Sequence, residues 1–446
     1  MPRQFWRLPQ NAGTIPRSTM IQLARKLRLR DYFALAFGTM IGVGWLVLMD
    51  DWLGRGGPFG AMLAFGIGGV LLLPVGYVYG EWVKRLPDAA GEAAYTAEVF
   101  PPIVSYFTGW IMLLAYFIVC PWEAVAVGKL AGYLIPSLNS MELYRIEGQP
   151  VFLPRLLLGI LLTLFLGVLN YRGIRGSATF QGWATTTVLV LFAIVALGSA
   201  THGSVRNMHP GFSAAPLVSI LLVLQIVPYF MTGFESVPKV AEEAHKEFRS
   251  QGFFRAIVLA LFVGSAFYVA AATAAAFGQA MGTQWPVHLI LIAAMFGLFQ
   301  CFNGNFVAAS RLLFSFGRRG TIPTRFAEIH PRFQTPSTAI IGVTVATLAG
   351  LFLGDALLVP VTEVGSMASA CGWLAASLSL FLIESRLRVR FVAALGVFVA
   401  LLLIAMKLVP KFPGHFTGAE WIALAVWLLL GAAMHWNRPA PTRRTF

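Results

Sequence analysis

Two carboxylates sit in apolar surroundings that disfavour charge. Glu235 stands two residues after Gly233 within the apolar stretch 225–238, and Glu123 follows Pro121-Trp122 within the stretch 103–131. An ionisable side chain at membrane depth costs roughly 3 kcal/mol or more, so an acid kept there reads first as a functional group. Glu235 can exchange a proton or serve as a buried structural hydrogen-bonding group. Glu123 can face a pocket and select for positive charge, or pair with Lys129 or water near a surface. Asn303 can face a pocket or an ion site, or bond a neighbouring helix. Glu363 reads as a solvated vestibule position, and Asp50 and Asp51 as interface residues. The seven histidines are scattered without an HxxxH or HExxH spacing. Cys120, Cys301 and Cys371 show neither metal-ligand spacing nor a paired framework and read as small core residues. Nothing here forms a nucleophile–base or metal constellation, so the expected chemistry is binding and proton exchange, with no enzyme activity, metal or cofactor.

The backbone offers a second set of polar groups. Residues 37–45 read Phe-Gly-Thr-Met-Ile-Gly-Val-Gly-Trp, placing Gly38, Gly42 and Gly44 in one short apolar segment. Each glycine disfavours helix by about 1 kcal/mol relative to alanine. Pro228 and Gly233 interrupt a second such segment far along the chain. At membrane depth irregular backbone survives only where protein or a water-filled cavity receives it. Glycines that merely let helices pack closely are the plainer alternative, but a second break favours a site between the two. The helix resuming near Val43 and Gly44 presents free N–H groups that suit a carboxylate. The helix ending near Tyr229 and Phe230 leaves carbonyls that suit an ammonium. Together they fit the head group of an amino acid.

These residues need long apolar helices to carry them. The chain has 446 residues, 57% hydrophobic and 12% charged, against about 25% charged in a soluble domain. It is an all-α integral membrane protein. With about 20 apolar residues per crossing, twelve spans are expected, at 32–52, 58–82, 103–131, 153–171, 179–200, 215–238, 253–277, 286–315, 337–353, 357–383, 391–409 and 419–436. The breaks fall in the first and sixth. Two five-helix halves, 31–200 and 201–385, are then related as an inverted repeat, followed by helices 11 and 12 over 386–436. Residues 1–30 form a basic cytoplasmic tail without signal-peptide character, including an amphipathic piece at 20–30 suited to lie on the inner leaflet. Residues 437–446 form the other cytoplasmic tail.

The net charge of +14 follows from topology rather than from nucleic acid. With the N-terminus inside, 26 of the 33 Lys and Arg fall in cytoplasmic segments, as expected for a multi-pass cell-membrane protein.

The same motifs resemble the amino acid–polyamine–organocation permeases, which share the fold of the bacterial leucine transporter. The similarity covers residues 30–436. It rests on Gly38-Thr39-Met40-Ile41-Gly42-Val43-Gly44-Trp45 and on Tyr79-Gly80-Glu81 followed by Arg85-Leu86-Pro87 and Gly91-Glu92. It rests also on Gly233-Phe234-Glu235 with Ala241-Glu242-Glu243, and on Ser310-Arg311-Leu312-Leu313-Phe314 leading to Pro323 and His330-Pro331. The resemblance implies a secondary transporter working by alternating access. Thr39, Met40, Ile41, Gly42, Val43 and Gly44 would hold a substrate carboxylate. Tyr229, Phe230, Met231, Thr232 and Gly233 would hold the amine and stack on the side chain, with Glu235, Glu123 and Asn303 serving coupling or charge selection. Where some proton-coupled relatives carry a lysine in the fifth span, standing in for sodium, this chain has Val188. The expected partners are a small amino acid or amine, the lipid bilayer, a proton or sodium ion, and a second copy in a homodimer. The alternatives are a permease for an amine lacking the carboxylate, such as ethanolamine or a polyamine, and a non-transporting nutrient sensor or complex subunit.

Overall fold

A computed structural model describes residues 23–202, 204–277, 285–412 and 415–438. Among these residues nine helices are long and apolar enough to cross a membrane. The first, sixth and ninth of the expected spans make up the difference. The ninth, Ser337–Leu351, is a short apolar helix, and the other two are broken.

The first span runs as Leu29–Met40, unwinds over residues 41–43, and resumes as Gly44–Val47. The helix Met49–Arg85 carries it on, bending at Gly57 (φ 67°) before continuing as the second span. The sixth span is Pro216–Leu224, Val227–Met231 and Ser236–Lys239, with Thr232 extended between the last two. Gly233 has φ 153°, a conformation that side-chain-bearing residues rarely adopt. A Cβ there would lie 2.6 Å from Met40 N and 2.9 Å from Ala36 O. The two breaks therefore touch backbone to backbone, at the position where only glycine leaves room.

The span contacts repeat under a shift of five. The first span packs on the fifth and seventh, and the sixth on the tenth and second. The third packs on the tenth and the eighth on the fifth, while the second meets the seventh and the fourth the ninth. The eleventh span, Leu387–Leu408, lies against the tenth and second, and the twelfth, Gly418–Trp436, against the third and tenth. Trp110 and Trp427 stack with centroids 4.9 Å apart, and each indole N–H donates to the other's carbonyl.

Two local features depart from expectation. Glu142–Ile146 and Gln149–Phe152 pair as an antiparallel hairpin between the third and fourth spans, turning at Glu147 and Gly148, both with positive φ. The described part of the stretch expected to lie on the inner leaflet, residues 23–28, is instead irregular and bound to protein, with a single β-bridge from Leu27 to Ala244. Lys26 and Leu27 donate backbone N–H groups to Glu243 O at 2.9 and 3.0 Å, and His245 N–H donates back to Leu27 O. The backbone beyond the sixth span holds this segment through these bonds, and Leu23 and Leu27 are buried against protein.

The basic segments gather at one end of the bundle. There Arg311 pairs with Glu243 at 3.0 Å, Arg319 with Asp88 at 2.7 Å and Arg386 with Glu81 at 2.7 Å. Glu384, just past the tenth span, is held down at about 2, first by the hydrogen bond from Arg386 and further by Arg85. At the other end Arg55 pairs with Asp51 at 2.8 Å and with Glu363 at 3.3 Å, and Lys407 also pairs with Glu363. Glu363 is thus buried between two cations rather than solvated in a vestibule.

Candidate functional site

A small cavity, ≈ 20 Å³ in volume, lies between the two breaks, with room for about one water. Thr39, Met40, Gly42 and Gly44 line it from the first span, and Tyr229, Phe230 and Thr232 from the sixth. Ile41, Val43, Met231 and Gly233 are close in sequence, but they do not line it. Their side chains, where they have one, are buried in the surrounding core.

The unwound carbonyls of the first span are met by side chains from the seventh and eighth. Tyr268 OH donates to Met40 O at 2.7 Å, and Gln300 Nε2 to Ile41 O at 2.8 Å. Asn305 Nδ2 and Cys301 Sγ each donate to Thr39 O at 3.2 Å. These side chains replace the helix hydrogen bonds that the glycines give up. On the sixth span Thr232 donates to Pro228 O at 2.7 Å and meets Ser369 Oγ. Tyr229 N–H donates to Ser366 Oγ.

Glu123 lines the cavity from the third span and is 2% exposed. Its carboxyl lies against the unwound backbone at Gly42. A Cβ on Gly42 would run into that carboxyl and lie 3.0 Å from Cys301 Sγ. The pairing with Lys129 considered from sequence is not made.

Glu235 is fully buried and does not line the cavity. Its Oε2 accepts the Gly233 N–H at 3.0 Å, which the break has released. Asn303 is also away from the cavity. It accepts from Asn170 Nδ2 at 2.9 Å and Ser177 Oγ at 3.0 Å, and donates to Gln181 Oε1 at 2.7 Å. This is an interhelical network among the fourth, fifth and eighth spans. The eighth-span asparagine at the cavity is Asn305, which sequence reasoning missed along with Cys301, Tyr268, Trp122 and Val119. Cys301 and Asn305 stand four apart on one helix face, a signal that was present but gave no reason to prefer that face. Val188 is buried and apolar. The fifth span instead reaches the first through Gln181, whose Nε2 donates to Ala34 O and Gln300 O, and through Thr185.

A broken first span crossing a broken sixth, with polar side chains closing on both, defines a membrane transport protein of the permease type. A profile of the amino acid permease family matches residues 27–433, and the chain belongs to that family. It is 28% identical to the vacuolar cationic amino acid transporter 4 of Arabidopsis thaliana, over 78% of this chain and 61% of that protein. The chain thus spans less than two thirds of the length of that relative. It is 22% identical to the methylthioribose transporter of Bacillus subtilis over 93% of both chains. It is also 23% identical to the branched-chain amino acid permease of the same species, over 75% of this chain and 76% of that one.

Proposed function

We propose that this protein carries an amino acid or a related amine across the cell membrane by alternating access, with the substrate held where the first and sixth spans break. The observation that carries this reading is the backbone contact of Gly233 with Met40 and Ala36 beside a cavity lined from both breaks. Such a contact lets one half of the bundle rock against the other about a fixed site, and the repeating span contacts supply the two halves. The ion pairs at the two ends, Glu92 with Lys239 and Arg55 with Glu363, are placed to close the site in turn. Both termini lie in the cytoplasm, on the basic side. Three relatives whose names specify cationic amino acids, methylthioribose and branched-chain amino acids support transport of small metabolites without fixing one.

The test is a thermal-shift panel of amino acids and amines on purified protein, followed by counterflow uptake in proteoliposomes. A ligand at a hundred times its Kd should add about 2.7 kcal/mol of apparent stability. A panel in which no compound stabilises the protein and none exchanges would reject the reading and favour a non-transporting sensor.

A further inference from the structure

We propose that a basic pocket at the foot of the first and fifth spans holds the phosphate of an anionic membrane lipid. This site is separate from the cavity between the breaks and independent of its substrate. The pocket is ≈ 490 Å³ in volume, within the range of about 300–1,000 Å³ for ligand clefts. Three pieces of chain form it: residues 25–28, 30 and 31 leading into the first span, Arg175, Ala178 and Thr179 at the start of the fifth, and His245 and Lys246 beyond the sixth. The backbone bonds of Lys26 and Leu27 to Glu243 O, and of His245 to Leu27 O, fix the first piece against the third.

Unbalanced charge carries the inference. Arg25, Lys26, Arg28, Arg30, Arg175 and Lys246 line the pocket, and Asp31 is the one carboxylate among the lining residues. Asp31 is already engaged: its Oδ2 accepts the Arg28 backbone N–H at 2.8 Å, and its Oδ1 lies 3.7 Å from Arg30 Nε. Among the described residues, Arg30 is the one lining Lys or Arg that pairs with an acid. Arg25 Nε donates at 3.1 Å to a neutral carbonyl, that of Ala244. None of the residues outside the described ranges is Asp or Glu, so the missing carboxylates are not supplied from there. By contrast Arg311, Arg319 and Arg386, at the same end of the bundle, each face a carboxylate. Arg175 stands in the first turn of the helix Ile174–His202, which has no acidic residue there. That end of a helix disfavours a cation and favours an anion. A phosphate relieves the mutual repulsion of these side chains and offers several acceptor oxygens to their guanidinium and ammonium donors.

The surroundings favour a lipid over a soluble phosphate. Arg175, Thr179 and Trp183 follow at i, i+4 and i+8 along one face of the fifth span. The pocket face therefore continues to Trp183, about 12 Å along the helix from Arg175. Trp183 is 73% exposed, and an indole on the outside of a membrane bundle suits the interface and the upper acyl chains. A headgroup seated among the cations would lead its chains down past this ring. Basic pockets between spans on the cytoplasmic side are suited to anionic headgroups, which that leaflet supplies.

The experiment titrates the full-length protein in detergent with phosphatidic acid, phosphatidylglycerol and phosphatidylcholine of identical acyl chains, and counts bound lipid by native mass spectrometry. The two anionic lipids should each bind ten-fold or more tightly than phosphatidylcholine. Arg175→Gln with Lys246→Gln, both exposed side chains, should remove most of that preference. Arg332→Gln with Arg388→Gln takes the same charge from exposed positions that do not line the pocket, and should leave the preference intact. Inorganic phosphate and glycerol 3-phosphate, at the lipid's concentration, should not displace phosphatidic acid. Equal binding of the three lipids would overturn the proposal. So would a preference that survives Arg175→Gln with Lys246→Gln, or one that falls as far in the control variant. Displacement by either soluble phosphate would overturn the assignment to a lipid. Should Arg175→Gln with Lys246→Gln not fold, Lys26→Gln with Arg175→Gln decides by the same comparison.

Discussion

Lys239 and Glu92 form an ion pair with both side chains wholly enclosed by protein. The pair joins the end of the sixth span to the segment following the second. Tyr79 OH donates to Glu92 Oε1 at 2.7 Å, and the Lys239 ammonium lies 5.9 Å from the Tyr116 ring centroid. Gly91, with φ 50°, leaves the space the ammonium fills, since a Cβ there would run into it. Removing one member of a buried pair strands the other, at a cost of about 3–5 kcal/mol, whereas removing both is far milder. Lys239→Met should therefore lower the apparent melting temperature of the purified protein sharply, and Lys239→Met with Glu92→Gln should restore most of the loss. A single variant no less stable than the double would show that this pair does not hold the closed end together.

The two glycine sites should separate binding from folding. A Cβ on Gly44 would lie 2.6 Å from Cε1 of Phe230, a cavity-lining side chain rather than backbone. Gly44→Val should fold, yet lose ligand-induced stabilisation and uptake. Gly233 meets backbone atoms of the first span, which cannot yield in the same way. Gly233→Ala should cost about 3 kcal/mol or more, at the upper end for a single substitution, and should reduce the yield of folded protein. Equal behaviour of the two variants in size-exclusion profiles and uptake would contradict this division.

The spans and their breaks were legible because they rest on local chemistry. Long apolar runs between basic segments give crossings, and Gly42, Gly44, Pro228 and Gly233 weaken helix wherever they stand. The cavity was only partly legible because it depends on helix rotation. Asn303 and Asn305 are two residues apart and face different surroundings, and nothing in the sequence around them says which face meets the first span. The approach of the Glu123 carboxyl to Gly42 joins residues far apart in the chain, so it emerged only once the third span was packed against the break. The binding of residues 23–28 to protein was missed because their partner, the backbone beyond the sixth span, is likewise distant in sequence.

Orientation can be tested at two exposed positions at opposite ends of the bundle. Gln149 lies on the hairpin near the Arg155–Asp355 pair, and Thr324 follows the eighth span near the basic cluster. In a background with Cys371 replaced, Gln149→Cys should react with an impermeant maleimide added to intact cells, and Thr324→Cys should react only after permeabilisation. The opposite pattern would invert the topology and place both termini outside.

Glu235 decides whether the break in the sixth span serves coupling or only structure. Its Oε2 accepts the Gly233 N–H, while Oε1 has no hydrogen-bond partner. The charged and titratable groups that act on it come from neighbouring elements: Glu92 from the segment after the second span, Lys239 from its own span, Tyr79 from the second and Tyr116 from the third. A purely structural acceptor needs no charge, and glutamine can accept the same N–H through its carbonyl oxygen. A coupling acid must take up and release a proton as the site alternates. Glu235→Gln should therefore keep folding and ligand binding in either case, and transport should tell the two apart. If Glu235 couples, wild-type uptake into proteoliposomes should rise as the outside pH falls from about 8 to about 5, while the Gln variant should show a flat profile. Matching pH profiles would leave Glu235 as the cap of a broken helix. Since Val188 supplies no alternative titrating group in the fifth span, exchange or sodium coupling would then be the mechanism to test.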